Sequence, residues 1–177
     1  MKKLNVEVVE YNKQWTVLFE DEALKIRKIL GKELIDVHHI GSTAVENLMA
    51  KPIIDIMPVV KEISRVDNYN SKFEDLGYEV MGEFGMAGRR YFRKGSARRT
   101  HQIHIFEESN SKDIERHIAV RDYLRKHPME AFEYGQLKSR LAALFPTDII
   151  SYMDGKDSYV KELEIKALRW YGRLQNK

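Results

Sequence analysis

Four groups of residues have the types and spacing to do chemistry. The first is Gly41-Ser42, at the end of a short apolar run. Glycine lets a backbone approach an anion, and Ser42 with the free N–H groups of the following turn can hold a phosphate. A plain tight turn with Ser42 as a helix N-cap would use the same two residues. The second is Asp55, set among branched aliphatics between positions 53 and 60. A carboxylate there is costly unless it pairs with Lys51 or an arginine, or holds a metal ion. On a strand, positions 53, 55, 57 and 59 share a face, so Asp55 sits beside Met57 rather than a second carboxylate.

The third group is histidine: His38-His39, then His101 and His104. Histidine ligates metals and moves protons near neutral pH. Strand alternation sends His38 and His39 to opposite faces, and separates His104 from both His101 and Glu107. The fourth is basic. Arg89, Arg90, Arg93, Lys94, Arg98 and Arg99 fall within eleven residues, with Tyr91 and Phe92 between them. Arginine grips phosphate with two donors, so one or two of these could clamp a triphosphate or an RNA backbone while the rest face water. A Walker A sequence, a dinucleotide-binding glycine fingerprint, an HExxH motif and a nucleophile elbow are all missing from the sequence.

The elements that must position these residues follow from periodicity. Trp15, Leu18, Phe19, Glu22, Ile26 and Ile29-Leu30 form a helical stripe over about 12–30, stopped by Gly31. Strands are expected at 34–40, 53–60, 78–82, 90–94 and 102–106. A turn or short helix covers 43–49 and a weaker helix 63–76. Gly82, Gly85, Gly88 and Gly95-Ser96 supply turns. After Glu108 the chain becomes helical. Ser109-Asn110-Ser111 caps a helix with Ile114, Ile118 and Leu124 on one side. His127-Pro128 breaks it, a helix over 129–144 follows, and Pro146-Thr147 opens a last one to about residue 171. Its stripe of Val160, Leu163, Ala167 and Trp170 suits the core, or else the seam of a homodimer. Strands gathered between helices argue an α+β fold with a helical C-terminal third.

Composition agrees. The 177 residues are 43% hydrophobic and 32% charged, enough for one domain with a sizeable core and a solvated surface. With no cysteine, disulfides and thiolate chemistry are excluded, and a cytoplasmic setting is expected. No apolar h-region follows Met1-Lys2-Lys3 and no apolar run could span a bilayer, so neither a signal peptide nor a membrane partner is expected. The net charge of +3 is too small to mark a dedicated nucleic-acid binder.

These residues together resemble the GrpB-like family of the nucleotidyltransferase superfamily. The resemblance rests on Tyr11, Trp15 and Phe19; on His39-Ile40-Gly41-Ser42-Thr43-Ala44-Val45; and on Ala50-Lys51-Pro52-Ile53-Ile54-Asp55-Ile56. It continues through Arg90 to Lys94, His101 to His104, Arg121-Asp122-Tyr123-Leu124-Arg125-Lys126-His127-Pro128, and Tyr134, Leu137-Lys138, Tyr152 and Lys156. One departure is Val45-Glu46-Asn47, where the family has Val-Pro-Gly, which leaves room for a differently shaped turn. The family implies a nucleotidyltransferase-like fold, a small mixed sheet flanked by helices, in a single domain whose 1–108 core carries a helical 109–177 part. Active superfamily members hold a triphosphate on a Gly-Ser turn and two Mg²⁺ ions on an Asp-x-Asp pair plus a third carboxylate. Here the second aspartate position is Met57, and His104 or Glu107 is left for the third.

The resemblance therefore implies the following site. Gly41, Ser42, Thr43, Lys51, Arg90, Arg93, Lys138 and Lys156 bind phosphate. Asp55, His39 and His104 ligate a divalent metal, Mg²⁺ or Mn²⁺ ahead of Zn²⁺, and Asp55 and His104 are the catalytic pair. The expected ligand is a small phosphate-bearing molecule, with an NTP as substrate. Three functions stay open: nucleotidyl transfer to an unknown acceptor, nucleotide or coenzyme binding without turnover, and metal-dependent hydrolysis at a mixed His/Asp site.

Overall fold

The computed structural model describes residues 5–176. Helix α1 (Gln14–Leu30) leads into β1 (Leu34–Ile40), and a short 3-10 turn, Ser42–Ala44, connects toward β2 (Ile54–Val60). A 3-10 segment (Ile63–Tyr69) and α2 (Asn70–Asp75) precede β3 (Tyr78–Val80), β4 (Arg89–Lys94) and β5 (His101–Glu107). Three helices close the chain: α3 (Ser111–Lys126), α4 (Pro128–Leu144) and α5 (Ile149–Gln175). The strands form one sheet in the order β1-β2-β5-β4-β3. Only β2 and β5 run parallel; the other neighbours are antiparallel. The expected α+β class, a small mixed sheet with helices, is what the chain adopts.

Period-two alternation divides the sheet into two faces. Ile54, Ile56 and Val60 of β2, Ile103 and Ile105 of β5 and Phe92 of β4 pack under α1, which contributes Trp15, Phe19, Ile26 and Leu30. Leu18 lies off that stripe and is exposed. On the opposite face Ile40, Met57 and Phe106 are covered by Ile114 and Ile118 of α3. Met57 is fully buried there, so the position next to Asp55 on this face is sealed hydrocarbon. The α5 stripe, Val160, Leu163, Ala167 and Trp170, is satisfied within the chain: it packs with Tyr123, Leu124 and Ala131 of α3 and α4.

Local chemistry explains where boundaries fall. Asn110 caps α3 by accepting the Asp113 N–H, and Pro128 opens α4. The last helix begins at Ile149 rather than at Pro146, because Asp148 accepts the Ser151 N–H and sets the first turn there. The expected 63–76 helix is half 3-10, and β3 stops at Val80. At the departure from the family pattern, Asn47 takes the left-handed conformation, φ 64°, where the family has glycine. Asparagine tolerates that region better than other non-glycine residues, so the backbone there still makes the left-handed turn that glycine would.

Among the described residues, no helix is long and apolar enough to cross a membrane.

Candidate functional site: a three-lysine cavity beside Asp55

The site sits where β1 ends and the helical third meets the sheet. Gly41 turns the chain with φ 72°. A Cβ at this position would lie 2.8 Å from Asp55 Oδ2, so glycine is required twice over, for its conformation and for its missing side chain. The turn thus presses its backbone against the Asp55 carboxylate. From the other side, His104 Nε2–H donates to Asp55 Oδ1 at 3.1 Å. The pairing follows from register: Asp55 lies opposite Gln102 on β5, and His104 is two residues further along the same face. His104 Nδ1 is buried and has no partner among the described residues. The Asp55 partner is therefore His104, not Lys51 or an arginine.

Beside this carboxylate is a cavity of about 360 Å³, lined by Ser42, Asp55, Gln102 and Tyr152 together with Lys51, Lys138 and Lys156. Lys138 is 2% exposed, and its Nζ donates to Ser42 Oγ at 2.8 Å. Burial, reinforced by the charges of Lys156 and Lys51, holds its amine well below the usual lysine range. Burial and then Lys51 bring Lys156 down to about 8, against a smaller upward pull from Asp55. Lys51 is lowered by burial too, and Asp55 opposes that. Among the described residues none of the three makes an ion pair with a carboxylate; Asp55, the only acidic residue of the lining, is engaged by His104.

Aromatic rings support the amines. Lys138 Nζ lies 4.4 Å from the Tyr134 ring centre, Lys156 Nζ 5.5 Å from Tyr152, and Lys51 Nζ 5.2 Å from the same Tyr152 ring. Tyr152 is fully buried, its hydroxyl has no partner among the described residues, and burial pushes its pKa up to about 12. Gly155 lets α5 come close to α4, since a Cβ there would meet Leu141 at 2.5 Å. That approach sets Lys156 beside Lys138, one turn from Leu141.

Gly41, Ser42, Lys51, Asp55, His104, Lys138 and Lys156 are thus brought together. Thr43 also lines the cavity but its hydroxyl is already engaged, and three other candidate residues are engaged elsewhere. Thr43 is buried beneath the turn; its hydroxyl donates to the Ile53 carbonyl and accepts from His39 Nε2–H at 3.0 Å. His39 lies on the α1 face of the sheet, stacked on Phe19, and burial holds its pKa down to about 4. Alternation separates it from Asp55, which is why it does not join His104 there. Arg90 also points to the α1 side and makes two bonds to Asp67, at 2.7 and 3.1 Å. Arg93 is on the Asp55 face but is held by Glu79 at 2.7 and 2.9 Å. Among the described residues no group of three or more His, Cys, Asp or Glu is placed to hold a metal ion.

Gln102 and His117 were overlooked by motif reading, while Tyr134 and Tyr152 were matched to the family pattern but given no role in the site. Gln102 shares a face with His104 by the rule of two. Lys138 and Lys156 each have a tyrosine four residues earlier, one helical turn back, so that signal was present in the sequence. His117 of α3 was not marked by any pattern. Its ring lies 6.0 Å from that of His104, its Nδ1 donates to the Asp113 carbonyl at 2.7 Å, and burial lowers its pKa to about 4.

Comparison with known proteins agrees with the motifs. The GrpB protein family model matches residues 5–166. UPF0157 protein YqkA of Bacillus subtilis is 45% identical over 95% of this chain, which spans only 49% of that protein. Glutamate-rich protein GrpB of Alkalihalophilus pseudofirmus is 32% identical over 92% of this chain and 96% of its own length. The crystal structure of GrpB from Enterococcus faecalis superposes with a TM-score of 0.91 at 48% identity, covering 93% of this chain and 99% of that one. Chains of the Cid1 poly(U) polymerase align far less well, with a TM-score of 0.49 at 10% identity in one of them. With a family model matched from residue 5 to residue 166 and relatives alike over nearly the whole chain, the protein belongs to the GrpB family.

Proposed function

We propose that this protein binds the phosphate chain of a nucleotide in the cavity between the Gly41-Ser42 turn, β2 and helices α4 and α5. One observation carries the reading. Three lysines converge on a single cavity, all with lowered pKa values and none paired with a carboxylate among the described residues. Like charges held together out of water are unfavourable unless an anion joins them. A chain of phosphates offers several negative charges in a row, and the Ser42 hydroxyl adds a polar contact for them.

The metal question follows from the donor set. Asp55 supplies one carboxylate, and the sealed Met57 side of the strand supplies no second. Mg²⁺ commonly binds through one carboxylate plus substrate phosphates, so an ion here would depend on the ligand's oxygens for its remaining contacts. His39 would have no part in it.

Nucleotidyl transfer from the same cavity is the second reading, favoured by the Asp55–His104 pair at its edge. An acceptor hydroxyl would attack the α-phosphorus, the bond to pyrophosphate would break, and the acceptor's proton would pass to Asp55. The lysines would hold the departing pyrophosphate.

Calorimetric titration with ATP, CTP and inorganic tripolyphosphate, each with and without Mg²⁺, tests both. Binding should be abolished or weakened by about tenfold or more in Lys138→Met. If that variant binds as the parent does, the cavity is not the phosphate site. Asp55→Asn removes a negative charge, so it should strengthen metal-free binding and lose any Mg²⁺ enhancement. Pyrophosphate release from ATP with a pool of hydroxyl acceptors, present in the parent and absent in Asp55→Asn, separates transfer from binding alone.

A further inference from the structure

A second cavity, of about 590 Å³, adjoins the first and shares Lys51, Ile53, Gln102 and Ile149 with it. Its other side carries Tyr91 and Arg93 of β4 and Arg98 and Arg99 of the loop leading to β5. These arginines are not equivalent. Arg93 is neutralised by its two bonds to Glu79. Arg98 meets Glu7 at 3.4 Å, but the two side chains are 85% and 53% exposed, so water weakens that pair. Arg99 is only part-exposed and, like Lys51, forms no ion pair among the described residues; its charge is felt at Glu79, which is already held by Arg93. The second cavity therefore keeps positive charge of its own.

A mononucleotide held by its phosphates in the first cavity cannot answer that charge. Its anionic groups are all at one end, and the nucleoside at the other end is neutral. We propose that the second cavity is a separate subsite for a second anionic ligand, a small molecule bearing a phosphate monoester. Arg99 grips the phosphate through its planar fork, Arg98 turns from Glu7 to assist, and Gln102 forms part of the wall between the two ligands. The subsite is placed to bring that molecule to the reactive edge of the first cavity. Gln102 is opposite Asp55 in the β2–β5 register, and Tyr91 is opposite His104 in the β4–β5 register. The inference rests on the phosphate reading of the first cavity only for what occupies that cavity.

The test uses AMP as the phosphate monoester. The full chain is first saturated with tripolyphosphate to fill the first cavity, and AMP is then titrated calorimetrically. The expected result is a second, additive binding event. Arg99→Met should weaken it by about tenfold or more while tripolyphosphate affinity stays within about twofold, and Arg99→Lys should restore part of it. No AMP binding to the saturated protein would overturn the proposal. So would Arg99→Met weakening ATP as strongly as it weakens AMP, since the second cavity would then house the ATP nucleoside. If tripolyphosphate itself does not bind, the reading of the first cavity fails; AMP titrated alone into the parent and Arg99→Met then decides the second cavity by the same tenfold difference.

Discussion

Lys156→Met should stabilise the unliganded protein while impairing the proposed anion site. The amine is lowered from 10.5 to about 8, by burial and then by the Lys51 charge. At about 1.4 kcal/mol per tenfold, keeping that amine charged in the folded state costs roughly 3 kcal/mol. Two effects reduce the gain on its removal. Lys156 is only part-buried, so water screens some of the cost, and its place over the Tyr152 ring, worth about 0.5–1 kcal/mol, is lost. Methionine fills much of the same space, leaving a net stabilisation of about 1–2 kcal/mol at pH 7, or about 2–8 °C in Tm. The sign with pH is fixed by linkage. The folded pKa lies below the unfolded one, so between about 8 and 10.5 the unfolded chain holds more protons and raising the pH favours the folded state. The penalty is full below about pH 8 and gone above 10.5. The gap between variant and parent, measured by urea unfolding at pH 7, 9 and 10.5, should therefore close as pH rises. A variant no more stable than the parent at pH 7, or a gap that does not change with pH, would refute the view that these lysines are held together at a cost. Added tripolyphosphate should narrow or reverse the gap by stabilising the parent more.

Other substitutions probe the scaffold. Gly41→Ala should lose about 2–4 kcal/mol, because a Cβ would strike Asp55 at a left-handed φ; a fall in Tm of less than 2 °C would contradict the close approach. Asn47→Gly should raise stability by about 0.5–1 kcal/mol by relieving its left-handed backbone, read as a shifted urea midpoint with unchanged slope. His39 and His117 both have folded pKa values near 4, below 6.5, so the unfolded state binds more protons in between and stability falls as pH drops through that window. Substituting either by Gln should recover about 1–2 kcal/mol of the loss between pH 7 and 5; equal slopes for parent and variants would show that neither ring is held neutral.

Much of this was legible in the sequence because it is governed by local rules. The α1 stripe, the caps at Asn110 and Pro128, the strand containing Asp55 and the split of His38 from His39 follow from periodicity and backbone chemistry over a few residues. The Gly41-Ser42 turn and Met57 beside Asp55 could likewise be read from position alone. Tertiary structure decided which charges are free. Arginine and lysine look alike in a sequence as sources of positive charge, yet Arg90 and Arg93 are neutralised by Asp67 and Glu79, residues 23 and 14 positions away. Lys51, Lys138 and Lys156 are joined only because α4 and α5 fold back over the turn, bringing Lys138 to Ser42 across 96 positions of chain. Burial and pairing set the chemistry of an ionisable group, and both are products of contacts distant in sequence. The sequence could therefore name the turn, the carboxylate and, by resemblance, the lysines, while only the fold could say that Arg90 and Arg93 are paired with carboxylates and that, among the described residues, Lys51, Lys138 and Lys156 are not.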